Sequence, residues 1–227
     1  GEKISGNPAR FDVVAATDIV TPDGTIRASA GEVMDTISTD AEGIARSSEL
    51  FLGSYDLVEV AAPVGYVVDP DPRRVEVTAD PEEVVSSIEV TTSNEPNSFT
   101  LMKSDLTTGH PLAGAVFELE RDGFPEAQLL TTNDEGRIHL DRLVLDTYSL
   151  TEIDPPTGYF LDPSAEPITF TVTEDGFIEG EVNAAREVTN DYTRVEIVKA
   201  DTSDGSPLAG AALTLLDGDG TVLDAWT

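Results

Sequence analysis

Lysine occurs only three times in 227 residues, at Lys3, Lys103 and Lys199, roughly once per hundred positions. Surface lysines are normally scattered, so an amine kept at one recurring place is an amine in use. Lys103 and Lys199 open matching stretches, Lys-Ser-Asp-Leu-Thr-Thr-Gly-His-Pro-Leu-Ala-Gly-Ala and Lys-Ala-Asp-Thr-Ser-Asp-Gly-Ser-Pro-Leu-Ala-Gly-Ala. A carboxyl and a carboxamide recur in step with them. Glu59 and Glu152 occupy equal places in a repeated box, and Asn94 and Asn190 each stand nine residues before a lysine. Any one of these groups alone is best read as half of a structural ion pair or as a strand end reaching solvent. Three of them at repeating positions point to chemistry between them.

The elements that must hold them are strands. Ser98–Lys103, Ala115–Glu120, Arg137–Leu143, Tyr148–Ile153, Ile168–Val172 and Arg186–Tyr192 alternate apolar and polar residues, with Gly, Pro, Asn and Asp between them. No segment carries a helical period. Side chains on a strand share a face every second residue. Phe99, Leu101 and Lys103 therefore form one row, as do Val195, Ile197 and Lys199. Tyr148, Leu150 and Glu152 form another, matched by Tyr55, Leu57 and Glu59. Val188 and Asn190 share a face, and so do Ile88, Val90 and Asn94. A Lys, a Glu and an Asn thus each sit on an apolar face, where an unpaired charge is costly and a pair needs good geometry.

The box is Tyr-x3-Glu-x3-Pro-x-Gly-Tyr-x2-Asp-Pro, at Tyr55 to Pro70 and again at Tyr148 to Pro163, every position displaced by 93. Gly43, Leu50 and Leu52 match Gly136, Leu143 and Leu145 at the same displacement. A period near a hundred residues fits tandem small domains and is too long for a solenoid. The expected units are 1–96, 97–192 and the opening part of a third at 193–227. About seven short strands per unit make the expected class all-β, with tandem immunoglobulin-like β-sandwiches.

With 44 acidic against 13 basic residues and a net charge of -31, the chain is unsuited to nucleic acid or to anionic membrane surfaces. Absence of cysteine excludes disulfides and thiolate metal sites. No long apolar run predicts a membrane span, and no signal peptide is visible at Gly1. His110 and His139 leave little room for a histidine-rich metal site, and no cofactor or metal is expected.

These residues resemble the B-type repeat domains of Gram-positive surface proteins, also called Cna B-type, SpaA-like or prealbumin-like pilin domains. The resemblance rests on Lys-x-Asp-x5-Pro-Leu-Ala-Gly-Ala from Lys103 to Ala115, on Tyr-x-Leu-x-Glu from Tyr148 to Glu152, and on Thr189-Asn190-Asp191. It implies a prealbumin-like sandwich and an intramolecular isopeptide bond, with Lys103 as nucleophile, Asn190 as acceptor and Glu152 as proton shuttle. Burial lowers a lysine pKa and raises a glutamate pKa, which favours a neutral amine beside a neutral acid. Such an amine can attack the carboxamide while the acid moves protons. The reaction happens once, so the chain is not expected to be an enzyme. A bond between first and last strands would carry tension past the strands between them.

Unit one departs from the pattern. Glu59 and Asn94 fit, but Lys3 precedes Phe11 by eight residues where Lys103 precedes Phe117 by fourteen. Lys3 either bonds to Asn94 from a shortened first strand or is an exposed terminal lysine. Unit three has Lys199 but neither a Glu box nor a closing Asn. Asp217-Gly218-Asp219-Gly220 lacks the glycine and glutamate positions of a calcium loop and is read as a hairpin turn. The resulting expectation is an extracellular stalk module of an adhesin or pilus-like protein, anchored to the cell wall through sequence outside this segment. Its partners would be neighbouring repeats and a host matrix protein or glycan. Two alternatives stand beside it: a ligand-binding surface in the longer 17–39 region of unit one, and accessory repeats of a larger surface enzyme.

Overall fold

The computed structural model describes residues 7–79, 88–192, 197–216 and 218–226, and every regular element among them is a strand. Lys3 lies outside the described residues. The chain divides into two compact units, Gly1–Asp191 and Tyr192–Thr227.

The first repeat contains β1 (Arg10–Ala15), β2 (Ile19–Val20), β3 (Ile26–Ala28), β4 (Val33–Ser38), β5 (Gly53–Ala61) and β6 (Arg73–Val77). Four of them form one antiparallel sheet in the order β4-β1-β5-β6. Val13, Ala15 and Tyr55 point from this sheet into a small core. The longer 17–39 region begins as the β2–β3 hairpin, whose Ile19 and Ala28 close that core while Val20 and Ile26 face solvent.

The second repeat contains β7 (Ser98–Asp105), β8 (Val116–Arg121), β9 (Gln128–Thr131), β10 (Arg137–Asp141), β11 (Asp146–Asp154), β12 (Ile168–Val172) and β13 (Asn183–Asn190). They build two sheets, β12-β11-β8-β9 and β10-β7-β13. The core between them holds Phe99, Leu101, Phe117, Leu150, Phe170 and Val172. Phe99 and Phe170 stack at 3.9 Å between centroids. The repeat is thus an all-β sandwich of seven strands. Its four-stranded sheet reproduces the order found in the first repeat.

Two sequence expectations for these repeats need correction. The last strand of the second repeat starts at Asn183, three residues before the expected Arg186, because the parallel ladder with β7 begins at Ser98↔Asn183 and Ala184 is small enough to pack in the core. The expected inward row Ile88, Val90 and Asn94 does not exist as a strand. Residues 88–95 pair in no ladder, and Ile88 and Val90 are exposed.

Asn97 joins the two repeats. It is fully buried, and its side chain exchanges hydrogen bonds with Leu143, donating to its O at 3.0 Å and accepting from its N at 2.8 Å. Its Nδ2 also donates to Gly176 O at 2.9 Å, and its backbone N donates to Gly65 O at 3.1 Å. Gly176, at φ 83°, lies directly beneath the Tyr66 carbonyl, so a Cβ there would collide with backbone as well as strain the turn.

Among its described residues the second unit holds one hairpin, β14 (Leu213–Leu216) with β15 (Val222–Trp226), whose connection includes Gly218 to Gly220; Asp217 is outside the described residues. Its opening turn copies that of the second repeat bond for bond. Asp201 N donates to Ser206 O, Gly205 N to Asp201 O and Leu208 N to Lys199 O, as Asp105, Gly109 and Leu112 donate to His110, Asp105 and Lys103. The inward row expected at Val195, Ile197 and Lys199 is not formed: Ile197 and Lys199 are exposed, and Val195 is not described. Among the described residues of this unit no second sheet is present to bury it.

Candidate cross-linking site

Lys103 continues the buried row that begins with Phe99 and Leu101, and it is itself 1% exposed. Its strand, β7, runs parallel to β13 with Lys103↔Val188 and Asp105↔Asn190 in register. Lys103 and Asn190 are therefore on the same face, one diagonal step apart. Glu152 enters from the facing sheet. It pairs with Phe117 on β8, and a bulge follows it before Asp154↔Val116. The same bulge follows Glu59↔Phe11 in the first repeat. Gly136, at φ 70°, lets the neighbouring turn lie against the Lys103 backbone, and its O accepts Lys103 N at 2.7 Å. Any side chain at 136 would meet the Lys103 carbonyl.

The three side chains meet at one oxygen. Glu152 Oε2 accepts from Lys103 Nζ at 3.1 Å and from Asn190 Nδ2 at 3.3 Å. Asn190 Nδ2 also donates to Phe160 O at 3.1 Å. Glu152 Oε1 and Asn190 Oδ1 are buried with no hydrogen-bond donor among the described residues. Burial pulls the Lys103 amine below its ordinary pKa, and the contact with Glu152 only partly opposes this. The ring of Phe117 lies 6.0 Å from Nζ. This is an amine, a carboxyl and an amide brought together and buried.

The first repeat holds the acceptor half of the same arrangement. Asn94 Nδ2 donates to Glu59 Oε2 at 2.6 Å and to Val67 O at 2.9 Å. Val67 is the counterpart of Phe160 at the displacement of 93. Burial raises the Glu59 pKa, partly offset by the Asp69 N–H and the Asn94 amide. Asn94 reaches Glu59 from an irregular segment, so its placement does not depend on the strand that the sequence pattern implied.

Three contributors have no assigned role in the sequence reading. Asp105 and Tyr159 are joined by a 2.8 Å hydrogen bond beside Asn190, and the Phe160 carbonyl holds the amide nitrogen. Asp105 and Tyr159 stand inside the recurring motifs, which was the available signal; a backbone carbonyl leaves none. Among the described residues no group of three or more His, Cys, Asp or Glu side chains is placed to hold a metal ion.

The profile of the prealbumin-like fold domain, SpaA, matches residues 9–93 and again 97–186. The chain belongs to this family. Among solved structures, the SpaA-type chain is similar to the Bacillus anthracis TIE protein, with 23% identity and a TM-score of 0.47 over 96% of this chain and 38% of that one. It is also similar to a streptococcal ancillary pilin, with 26% identity and a TM-score of 0.33 over 83% of this chain and 57% of the pilin. A third is the C-terminal fragment of the pilus adhesin SpaC from Lactobacillus rhamnosus GG, with 18% identity and a TM-score of 0.39 over 84% of this chain and 91% of the fragment. The chain thus spans 38% of the first of these proteins. A search of curated proteins finds no match.

Proposed function

We propose that the second repeat closes an amide bond between Lys103 Nζ and Asn190 Cγ, and that the chain is a structural stalk module of a bacterial cell-surface adhesin or pilus-like protein. One observation carries the reading: a single carboxylate oxygen, Glu152 Oε2, touches both the amine that attacks and the nitrogen that must leave. Lys103, its charge disfavoured by burial, passes a proton to Glu152 and becomes a neutral nucleophile. The Nζ–Cγ bond forms and the Cγ–Nδ2 bond breaks. Glu152 relays the protons shed by Nζ to Nδ2, so that, counted from the lysine ammonium, the leaving group departs as ammonium. The event occurs once per domain and has no turnover.

The proposed organisation is a repeat at 1–96, a complete repeat at 97–192 and the opening of a third at 193–227. The preassembled Glu59–Asn94 pair supports a second bond, from Lys3, in the first repeat. The module is proposed to act outside the cell, joined to neighbouring repeats and anchored to the wall by other parts of the protein. A ligand-binding role for the β2–β3 hairpin is a second reading, supported by its exposed Val20 and Ile26. Loss of matrix-protein or glycan binding on trimming the hairpin would support it.

Pulling single molecules by their ends tests the mechanical role. With the bond in place, force passes from β7 to β13 and the residues between Lys103 and Asn190 do not extend. Lys103→Met should release that length. Full extension of the unsubstituted chain would contradict the proposal.

A further inference from the structure

An asparagine amide can present either end to a neighbour, and only one orientation suits the reaction. The nitrogen must face the carboxyl that protonates it. Phe160 O imposes this choice, because a carbonyl accepts and does not donate, so the donor end of the amide must face it. Phe160 is tethered in turn. Its N donates to Asp191 O at 3.1 Å, and the preceding residue, Tyr159, donates its hydroxyl to Asp105 Oδ2 at 2.8 Å.

Asp105 is a firm anchor. It lies two residues beyond Lys103 on the same face of β7, is buried, and stands opposite Asn190 in the ladder. Its Oδ1 accepts from Thr107 N at 2.8 Å and from Thr108 N at 2.7 Å. Leu106 N donates to Asn190 O at 2.9 Å. The strand of the nucleophile, the strand of the acceptor and the Gly158–Tyr159 turn are therefore closed into one circuit of hydrogen bonds.

We propose that Asp105 and Tyr159 are positioning residues of the cross-linking reaction: they seat the Phe160 carbonyl, which holds the Asn190 amide with its leaving nitrogen on Glu152. The inference rests on the amide-bond reading of the site. The first repeat supports the central element independently, since Val67 O takes the Asn94 amide nitrogen in the same way. The Thr108 N–H and the Tyr159 hydroxyl hold the Asp105 carboxyl at about 2. Asp105 therefore stays an acceptor throughout the range in which Lys103 loses its proton.

The test is a time course of cross-linking in chains made by cell-free translation, sampled by intact mass. Tyr159→Phe removes only the hydroxyl. Misplacement of reacting groups by fractions of an ångström lowers such rates steeply, and the expected loss is about ten- to a hundredfold. It should appear at every pH without displacing the pH profile, because Lys103 and Glu152 are untouched. Asp105→Asn should act in the same direction, and near-UV circular dichroism reports whether each variant is folded. In a Lys103→Met background, which cannot react, Tyr159→Phe should speed hydrogen exchange of the Asn190 side-chain amide. Cross-linking at the unsubstituted rate together with unchanged exchange would overturn the positioning role and leave the amide-bond reading standing. An unsubstituted chain that never loses ammonia would overturn the reading itself.

Discussion

Lys103 is an amine buried beside one carboxyl oxygen that also takes a second donor. Desolvation dominates, so its folded pKa lies below the ordinary 10.5. In the unreacted protein the folded state therefore binds fewer protons than the unfolded state over the window between the lowered value and 10.5. Stability rises with pH there. Comparing Asn190→Ala with Lys103→Met/Asn190→Ala isolates this contribution: the first should gain stability relative to the second as pH climbs toward 10.5. A relative loss would mean that the ion pair, not desolvation, governs Lys103. Much of this trio was legible in the sequence, because strand parity places Lys103 with Phe99 and Leu101 and Glu152 with Tyr148 and Leu150. The Phe160 carbonyl was not, since it is fixed by a turn that only the folded chain brings to Asn190.

At the scale of elements, the parallel pairing of β7 with β13 sets the geometry, because it puts Lys103 and Asn190 on one face at the end of the same ladder. The start of β13 was misjudged from sequence because Asn183 to Ala185 look like a loop by composition. Only the neighbouring strand shows that small side chains fit there. The joint at Asn97 was likewise invisible, as one asparagine among turn residues carries no mark of burial. Asn97→Ala would strand the half-buried Leu143 and the buried Gly176 backbone groups. The expected cost is about 2–3 kcal/mol by chemical denaturation. A change below about 0.5 kcal/mol, the ordinary range for surface substitutions, would show that the joint is not a structural tie.

At the scale of the molecule, this chain of SpaA-type domains contains no cysteine and so has no disulfide to limit its unfolded states. A bond from Lys103 to Asn190 closes a loop of nearly ninety residues, for which the chain-entropy estimate is about 4–5 kcal/mol. Lys103→Met should lower the denaturation midpoint of the second repeat accordingly, with no concentration dependence. An equal midpoint would argue that no loop is closed. The repeat period, the all-β class and the sandwich could be read from the sequence because identical punctuation recurs at one displacement. The unpaired 88–95 segment could not, because alternation alone does not supply a neighbouring strand. The most direct measurement is the mass of the intact chain, followed by sequencing of its proteolytic peptides. The account predicts the loss of one ammonia and a branched peptide joining Lys103 to Asn190, both absent in Glu152→Gln. If the Lys3–Asn94 bond also forms, a second ammonia is lost. A full-mass chain, with Lys103 and Asn190 recovered in separate linear peptides, would contradict it.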